Sequence, residues 1–339
     1  PIARLPLFER MMNIPAMFFY YLKTFFFPYK LAIDQLWTIS VIDFHGFYLP
    51  LTAGVLFFLA IGLLGLRVFK TNKKTFAVFI FFFLWFLVSI SMFMQIYPAD
   101  ETVADRWFYF PMVGLLGIFA AGIQSLKFSE RTRKLGYILG LGLIVLLSVR
   151  TVIRNTNWAD AITLYTHDMK IQNNFDLENH LAAEYLAIGK YDEAEEHFKK
   201  SIFLFNQESN VYNLALLYEK KGDILKAKEY YYRALNEKNY TQTAHKHNLV
   251  TFTSLARVLI LYDKPEIARN FAKNALRDYP DSADLWKALA VSEYKLQNHE
   301  EALAAAERAR MLAPGAETDY LYNQIIYKQQ IRINPINRK

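Results

Sequence analysis

Residues 95–111 read QIYPADETVADRWFYFP, an acidic loop that passes without a break into an aromatic, apolar segment. Apolar runs flank it, and polar residues crowd into the short stretches between such runs. That pattern belongs to a helical membrane bundle. A helix needs about 20 apolar residues to cross a hydrocarbon core roughly 30 Å thick. The stretches 50–69, 76–96, 107–126 and 135–153 meet the requirement. A fifth stretch, 11–27, is shorter and contains Pro15 and Lys23, so it either spans with a kink or lies in the interface.

The turns between these runs give an orientation. Arg67, Lys70, Lys73 and Lys74 fill one, and Lys127, Arg131, Arg133 and Lys134 fill another, which places both on the cytoplasmic side. The 95–106 loop sets Asp100, Glu101 and Asp105 against Arg106 and belongs on the opposite face with residues 28–49. Everything after residue 153 follows it there. Arg150 and Arg154 count against this orientation, but two residues do not outweigh eight. Small residues recur in the last two spans, at Gly114, Gly117, Ala120, Ala121, Gly122, Gly136, Gly140 and Gly142, and predict close helix packing.

The 339-residue chain is 53% hydrophobic, yet its mean hydropathy is only +0.07. A greasy half is therefore joined to a water-soluble half. The net charge of +7 reads as membrane topology rather than a nucleic-acid surface, because so many Lys and Arg sit in the short turns. With no Cys, disulfides and thiolate metal sites are excluded. The first residue is Pro, and the chain reads as a fragment lacking its N-terminal part.

The soluble half carries an internal repeat. Ala194, Ala227, Ala268 and Ala302, taken as one repeat position, are spaced by 33, 41 and 34 residues. This is the tetratricopeptide period with one insertion. Each unit is a helical hairpin, and stacked hairpins share a continuous core. The insertion, 241–248, holds His245 and His247; at i and i+2 they share no helical face, so the segment reads as a solvated loop and not a metal site. The expected fold class is all-α, with a polytopic transmembrane bundle over 1–153, a connector over 154–173, four repeats over 174–316, and a capping helix with a frayed tail over 317–339. Repeat arrays of this kind bind peptides or proteins in a concave groove. The groove positions expected here include Asn179, Tyr212, Leu216, Arg257, Lys287 and Tyr294.

Chemistry in the membrane half has to gather at the acidic loop. Asp34, Asp43 and His45 lie in the other loop on that face, and Arg150 and Arg154 end the last span. Interfacial Trp and Tyr belts are ordinary anchors, but here carboxylates and guanidinium groups accumulate beside them. Arg suits a phosphate held at headgroup level. Carboxylates suit either a divalent cation or a general base, and nothing in the chain fixes a cofactor.

The segment VADRWFYFPMVG resembles the VADRYLYLPSIG-type segment of the transmembrane and tetratricopeptide repeat-containing O-mannosyltransferase family and its bacterial relatives. Upstream, YLKTFFFPYKLAIDQLW is similar to that family's YLxxLLFPxxLSxDH-type segment; downstream, RNTNWADAITLY is similar to its RNxxWxDExxLW segment. The departures are Trp107, Phe108 and Met112 in the loop, and Gln35 after Asp34 where His is common. The resemblance implies a C-type glycosyltransferase fold that moves a sugar from a polyprenyl-phosphate donor to an acceptor hydroxyl, with acidic catalytic residues in an earlier loop that nothing in this chain matches.

On that reading Arg106, with Arg150 or Arg154, meets the donor phosphate. Asp105 orients Arg106, Tyr109 supports the loop, and Asp34, Asp100 and Glu101 are candidates for acceptor or cation contacts. The partners implied are a polyprenyl-phosphate-sugar donor, a protein or peptide acceptor on the repeats, and membrane lipid, but no nucleic acid. The absence of Cys, the short loops and the family's spread point to a bacterial inner membrane with the repeats on the periplasmic or extracellular side; an endoplasmic reticulum location fits the same physics. Two other functions fit the same architecture, a non-catalytic membrane scaffold for envelope proteins and a lipid-linked oligosaccharide ligase.

Overall fold

The computed structural model describes residues 2–99, 101–236 and 244–328, apart from the side chains of 244–247. Expectations for Asp100, for the His245 and His247 side chains and for the tail from 329 onward fall outside the described residues. The chain is all-α: among these residues there is no strand, only one isolated antiparallel bridge between Gln35 and Val103. It divides into two compact units, Pro1–Asn174 and Phe175–Lys339.

The first unit contains α1 (Leu7–Met12), α2 (Ile14–Phe26), α3 (Leu49–Thr71), α4 (Lys73–Ser91), α5 (Tyr109–Gln124), α6 (Glu130–Thr156) and α7 (Ala161–Met169). Among the described residues, four helical stretches are long and apolar enough to cross a membrane: Phe44–Thr71, Lys73–Ser91, Asp105–Gln124 and Glu130–Thr156. The starts of α4 and α6 are written in capping residues. Asn72 accepts hydrogen bonds from the Lys74 and Thr75 amides at the head of α4, and Ser129 accepts from Thr132 at the head of α6, each satisfying donors that the helix leaves open. The basic turns thus lie at one end of the bundle, and the loops 28–43 and 95–106 at the other, called the loop end below.

The stretch 11–27 is less regular than the four spans, since its main helix is short. At 13 residues, α2 is about 20 Å long. Ile14 shares a groove with Pro50, Ser91 and Met94 from the loop ends of α3 and α4, while Pro28, just beyond its far end, accepts a hydrogen bond from Arg150 near the close of α6. Phe25 and Phe26 near the C-terminal end of α2 lie against the Phe119 ring of α5.

Helix α5 lies directly on α4. A Cβ at Gly114 would fall 2.7 Å from the Phe86 amide nitrogen and 2.9 Å from the Phe82 carbonyl, and one at Gly117 would fall 2.2 Å from the Phe82 ring. Glycine is needed at both places because backbone and ring occupy the space. In α6 the expectation fails: nothing lies within 4 Å of a Cβ at Gly136, Gly140 or Gly142, and none of that helix's apolar window is buried among the described residues.

The second unit is a run of antiparallel pairs: α8 (Phe175–Ala187) with α9 (Tyr191–Leu204), α10 (Glu208–Lys221) with α11 (Ile224–Asn236), α12 (Ala244–Tyr262) with α13 (Pro265–Asp278), and α14 (Ala283–Lys295) with α15 (His299–Leu312). Helix α16 (Ala316–Ile326) follows. The four aligned alanines sit on the second helix of each pair and are at most 1% exposed, because a larger side chain would push the hairpin apart. Gly189 and Gly222 close the first two inter-helix turns at φ 77° and 81°, where a side chain would be strained. The inserted residues end in helix rather than loop, since α12 begins at Ala244.

Candidate functional site

The loop end of the first unit is built around an extended segment, 33–39, that has no sheet to join. Its peptide groups still need partners at a membrane boundary. Gln35 bridges Val103, donating its amide to the Val103 carbonyl at 2.9 Å. Thr102 Oγ1 accepts from the Trp37 amide at 3.1 Å and donates to the Trp37 carbonyl at 2.6 Å. Gln172, just past α7, does the same for Leu36: Oε1 accepts the amide at 3.2 Å and Nε2 donates to the carbonyl at 3.0 Å. Asp168 accepts the Ile33 amide at 2.7 Å. Three stretches far apart in sequence are thereby tied into one polar floor.

Arg106 stands on this floor, on the helical turn Asp105–Phe108 that leads into α5. Its Nη2 makes a forked contact with both Glu101 oxygens, at 2.7 and 2.8 Å, and Nη1 donates to the Ile33 carbonyl at 3.0 Å. The side chain remains 50% exposed. Glu101, not Asp105, orients it. Asp105 turns the other way and accepts a 2.6 Å hydrogen bond from Tyr20 of α2, because neighbouring residues in so tight a turn point in different directions. Gln35, singled out above only as a departure from a motif, is central here: Nε2 donates to the Tyr20 hydroxyl and Oε1 accepts from the Trp37 indole.

The other two arginines differ from each other. Arg150 donates to the Pro28 and Tyr29 carbonyls at 3.1 and 3.0 Å, neutral acceptors that leave its charge uncancelled. Arg154 is closed off: its two terminal nitrogens reach the two Asp168 oxygens at 2.8 and 3.1 Å, and Nη1 also lies 3.1 Å from His167 Nδ1. With side chains 10% and 0% exposed, this is a buried, neutralised pair and not a waiting phosphate contact.

Asp34 is buried in the same loop at 6% exposure, and Tyr109 is 66% exposed at the start of α5. Asp43 caps the turn before α3 by accepting the Gly46 amide at 2.5 Å, away from Arg106's partners. Sequence reasoning missed Tyr20, Asp168 and Gln172. Tyr20 and Asp168 each lay next to a signal, the first just before the YLKTFFFPYKLAIDQLW segment and the second just after RNTNWADAITLY. Among the described residues no cluster of three or more His, Asp or Glu is arranged to hold a metal ion.

In the second unit the expected groove residues are tied together. Asn213 donates to Asn179 at 3.0 Å; the two stand 34 residues apart, one repeat period, which is the signal that could have found Asn213. Tyr212 reaches Ser254 at 3.3 Å, and Leu216 packs against the core. Arg257 is held in a fork by the buried Glu219, which also accepts from Tyr231. Burial works against the Arg257 charge, but Glu219 outweighs it and raises the guanidinium's pKa further. Lys287 bridges Asp284 and Glu317 at 2.7 and 2.9 Å. Tyr294 meets His299 edge to face.

Residues 209–239 and 263–317 match tetratricopeptide repeat family models. Human Protein O-mannosyl-transferase TMTC3 is 24% identical over 373 residues, covering 92% of this chain and 39% of that protein. Protein O-mannosyl-transferase Tmtc2 of Drosophila melanogaster is 31% identical over 101 residues, covering 30% of this chain and 11% of that protein. The chain spans at most 39% of the length of the curated relatives it matches. The structure of MamA, residues 41 to the end, from Desulfovibrio magneticus RS-1 shares 15% identity over 45% of this chain and 84% of that one, with a TM-score of 0.39. The two O-mannosyl-transferase relatives and the repeat models agree with the family resemblance stated above.

Proposed function

We propose that this chain, a relative of the transmembrane and tetratricopeptide repeat-containing O-mannosyltransferases along most of its length, is the part of a membrane glycosyltransferase that frames the donor phosphate and carries acceptor-recruiting repeats. The donor is a polyprenyl-phosphate-linked sugar, the acceptor a protein hydroxyl, and the face non-cytoplasmic, in a bacterial inner membrane. The observation that carries the reading is Arg106, held by Glu101 and the Ile33 carbonyl yet half exposed, in the segment that resembles that family's VADRYLYLPSIG-type motif.

In the transfer, the acceptor oxygen forms a bond to the anomeric carbon while the bond from that carbon to the phosphate oxygen breaks. The electron pair leaves with the polyprenyl phosphate, and the acceptor proton goes to a base. The leaving phosphate gains charge, so fixed cations aimed at it lower the barrier. Arg106 and Arg150 serve there. Arg150 is the stronger charge because its described partners are neutral carbonyls, whereas Glu101 partly cancels Arg106. Arg154 acts at one remove by orienting Asp168, and through it the Ile33 peptide that Arg106 leans on. Glu101 and Asp105 are both engaged, so neither is assigned as the base. Asp34 and Asp100 remain proposed acceptor or cation contacts, and Tyr109 a loop support. In the repeats, Tyr212, Leu216 and Tyr294 offer the acceptor-binding surface, while the buried Asn179, with Arg257 and Lys287, holds it in shape.

The test is Arg106→Ala and Arg150→Ala in the longer protein, expected to abolish transfer while insertion and repeat folding persist. Unchanged transfer by both would refute the assignment. Restoration of cellular function by the repeats on an unrelated single anchor would favour a scaffold. Addition of a preassembled oligosaccharide, rather than a single sugar, would favour a ligase.

A further inference from the structure

Arg10 of α1 is only 9% exposed, and its Nε and Nη1 have no hydrogen-bond partner among the described residues. A guanidinium withdrawn from water without partners is costly to hold, so an anion from outside the chain is called for. The neighbourhood supplies the rest of the ligand's outline. Asn13 joins α1 to α2 in a right-handed helical conformation, φ −82° and ψ −14°, so Arg10 stands about one turn, roughly 6 Å along the axis, before the groove-lining Ile14. The Asn13 side chain fixes that junction, donating to the Glu9 carbonyl and accepting the Ile39 amide.

Ile14 and Pro15 open an apolar groove of about 560 Å³ between α2, α3 and α4 at the loop end. Its one hydroxyl, Ser91, is turned onto the Val88 carbonyl. Val55 and Leu59 on its wall are 52% and 58% exposed, so the groove opens sideways. Around Arg10, the apolar side chains of Leu7, Phe8 and Met11 are 50%, 74% and 51% exposed, as in a helix lying in the membrane interface.

We propose that Arg10 and this groove bind a glycerophospholipid of the bilayer, its phosphate against the Arg10 guanidinium and an acyl chain between α2 and α3. A site that opens towards the membrane meets bilayer phospholipid first, as the abundant phosphate-headed molecule there. Arginine matches a phosphate through several charge-assisted hydrogen bonds. The site does not involve Arg106 or Arg150, so it stands or falls apart from the proposed transfer reaction.

The full 339-residue chain, purified in a mild detergent, is titrated with phosphatidylglycerol and followed by native mass spectrometry. One saturable equivalent is expected, with diacylglycerol of the same chains binding at least tenfold more weakly. Arg10→Gln and Val55→Trp, the latter filling the groove from an exposed position, should each weaken phosphatidylglycerol at least tenfold. Lys127→Gln, in the basic turn at the other end of the bundle, should leave it unchanged. If Arg10→Gln fails to fold by gel filtration, Val55→Trp and the charge-keeping Arg10→Lys decide, the first weakening binding and the second retaining most of it. Wild-type affinity in folded Arg10→Gln or in Val55→Trp, loss of binding in a folded Arg10→Lys, or equal binding of diacylglycerol would overturn the proposal. So would undecaprenyl phosphate displacing phosphatidylglycerol at tenfold lower concentration, which would make the groove a donor site.

Discussion

Replacing Asp168 by Ala tests whether the loop end is held from α7. The wild-type carboxylate accepts from Arg154 Nη1 and Nη2, from the Ile33 amide, and contacts His167 Nδ1 at 2.8 Å, all from a side chain with no solvent exposure. Its removal leaves the 10% exposed Arg154 charge without its carboxylate, and breaking one side of a buried pair costs about 3–5 kcal/mol. At about 1.4 kcal/mol per decade, that cost predicts exchange faster by roughly 10²-fold to a few thousandfold if the strain is released by opening the 33–37 segment. Hydrogen exchange with mass spectrometry on the purified chain reads this in peptides covering 28–43. Helix α4, which does not contact Asp168, serves as the internal control. Replacing both partners at once, Arg154→Met with Asp168→Leu, should recover much of the loss, because no unpaired charge remains. Unchanged exchange in 28–43 for Asp168→Ala would show that the pair does not hold the loop.

Three further outcomes are expected. Gly114→Leu should lower the thermal midpoint in detergent by an amount equivalent to at least about 1–3 kcal/mol, the usual cost of overpacking, because the new side chain begins 2.7 Å from the Phe86 nitrogen; an unchanged midpoint would contradict the α4–α5 contact. Burial alone would raise the Glu195 carboxyl, but donation from Lys199, Lys221 and Tyr218 brings it down to about 2. Since the folded value lies below the unfolded one near 4.3, its stabilisation is present above about pH 4 and lost as pH falls towards 2. Pepsin cleavage within α9 and α10 should rise across that window and rise less steeply in Glu195→Gln; identical profiles would remove Glu195 from the account. Glu219→Ala strips the carboxylate from Arg257 and the acceptor from Tyr231 and should cost about 2–3 kcal/mol, read as faster exchange in α10 and α12.

What was legible in the sequence follows from how local each signal is. Four spans declared themselves by length and hydropathy, and the repeats by a period whose small residue, alanine, is forced by helix approach at Ala194, Ala227, Ala268 and Ala302. Arg106 was found because its neighbours carry a motif. Glu101 was named beside it, but its grip on Arg106 was assigned to Asp105, since that grip depends on the loop conformation, and Ile33 reaches it through a segment 73 residues away. Asp105 and Tyr20 are 85 residues apart, and no spacing rule joins them. Arg10 escaped notice for a different reason: a lone arginine before an apolar run reads as an ordinary interfacial charge until burial and missing partners are seen together.

The side-chain clamps on residues 33–39 have a consequence for how this chain meets its neighbours. An extended segment at a sheet edge is a template for a foreign strand. Here the amides of Ile33, Leu36, Trp37 and Ile39 are all capped by Asp168, Gln172, Thr102 and Asn13, and the Leu36 and Trp37 carbonyls by the same glutamine and threonine. A carboxamide imitating a peptide group fills the berth another chain would need. In a crowded membrane this makes the segment deaf to strand pairing, so copies can collide at their loop ends without zipping together.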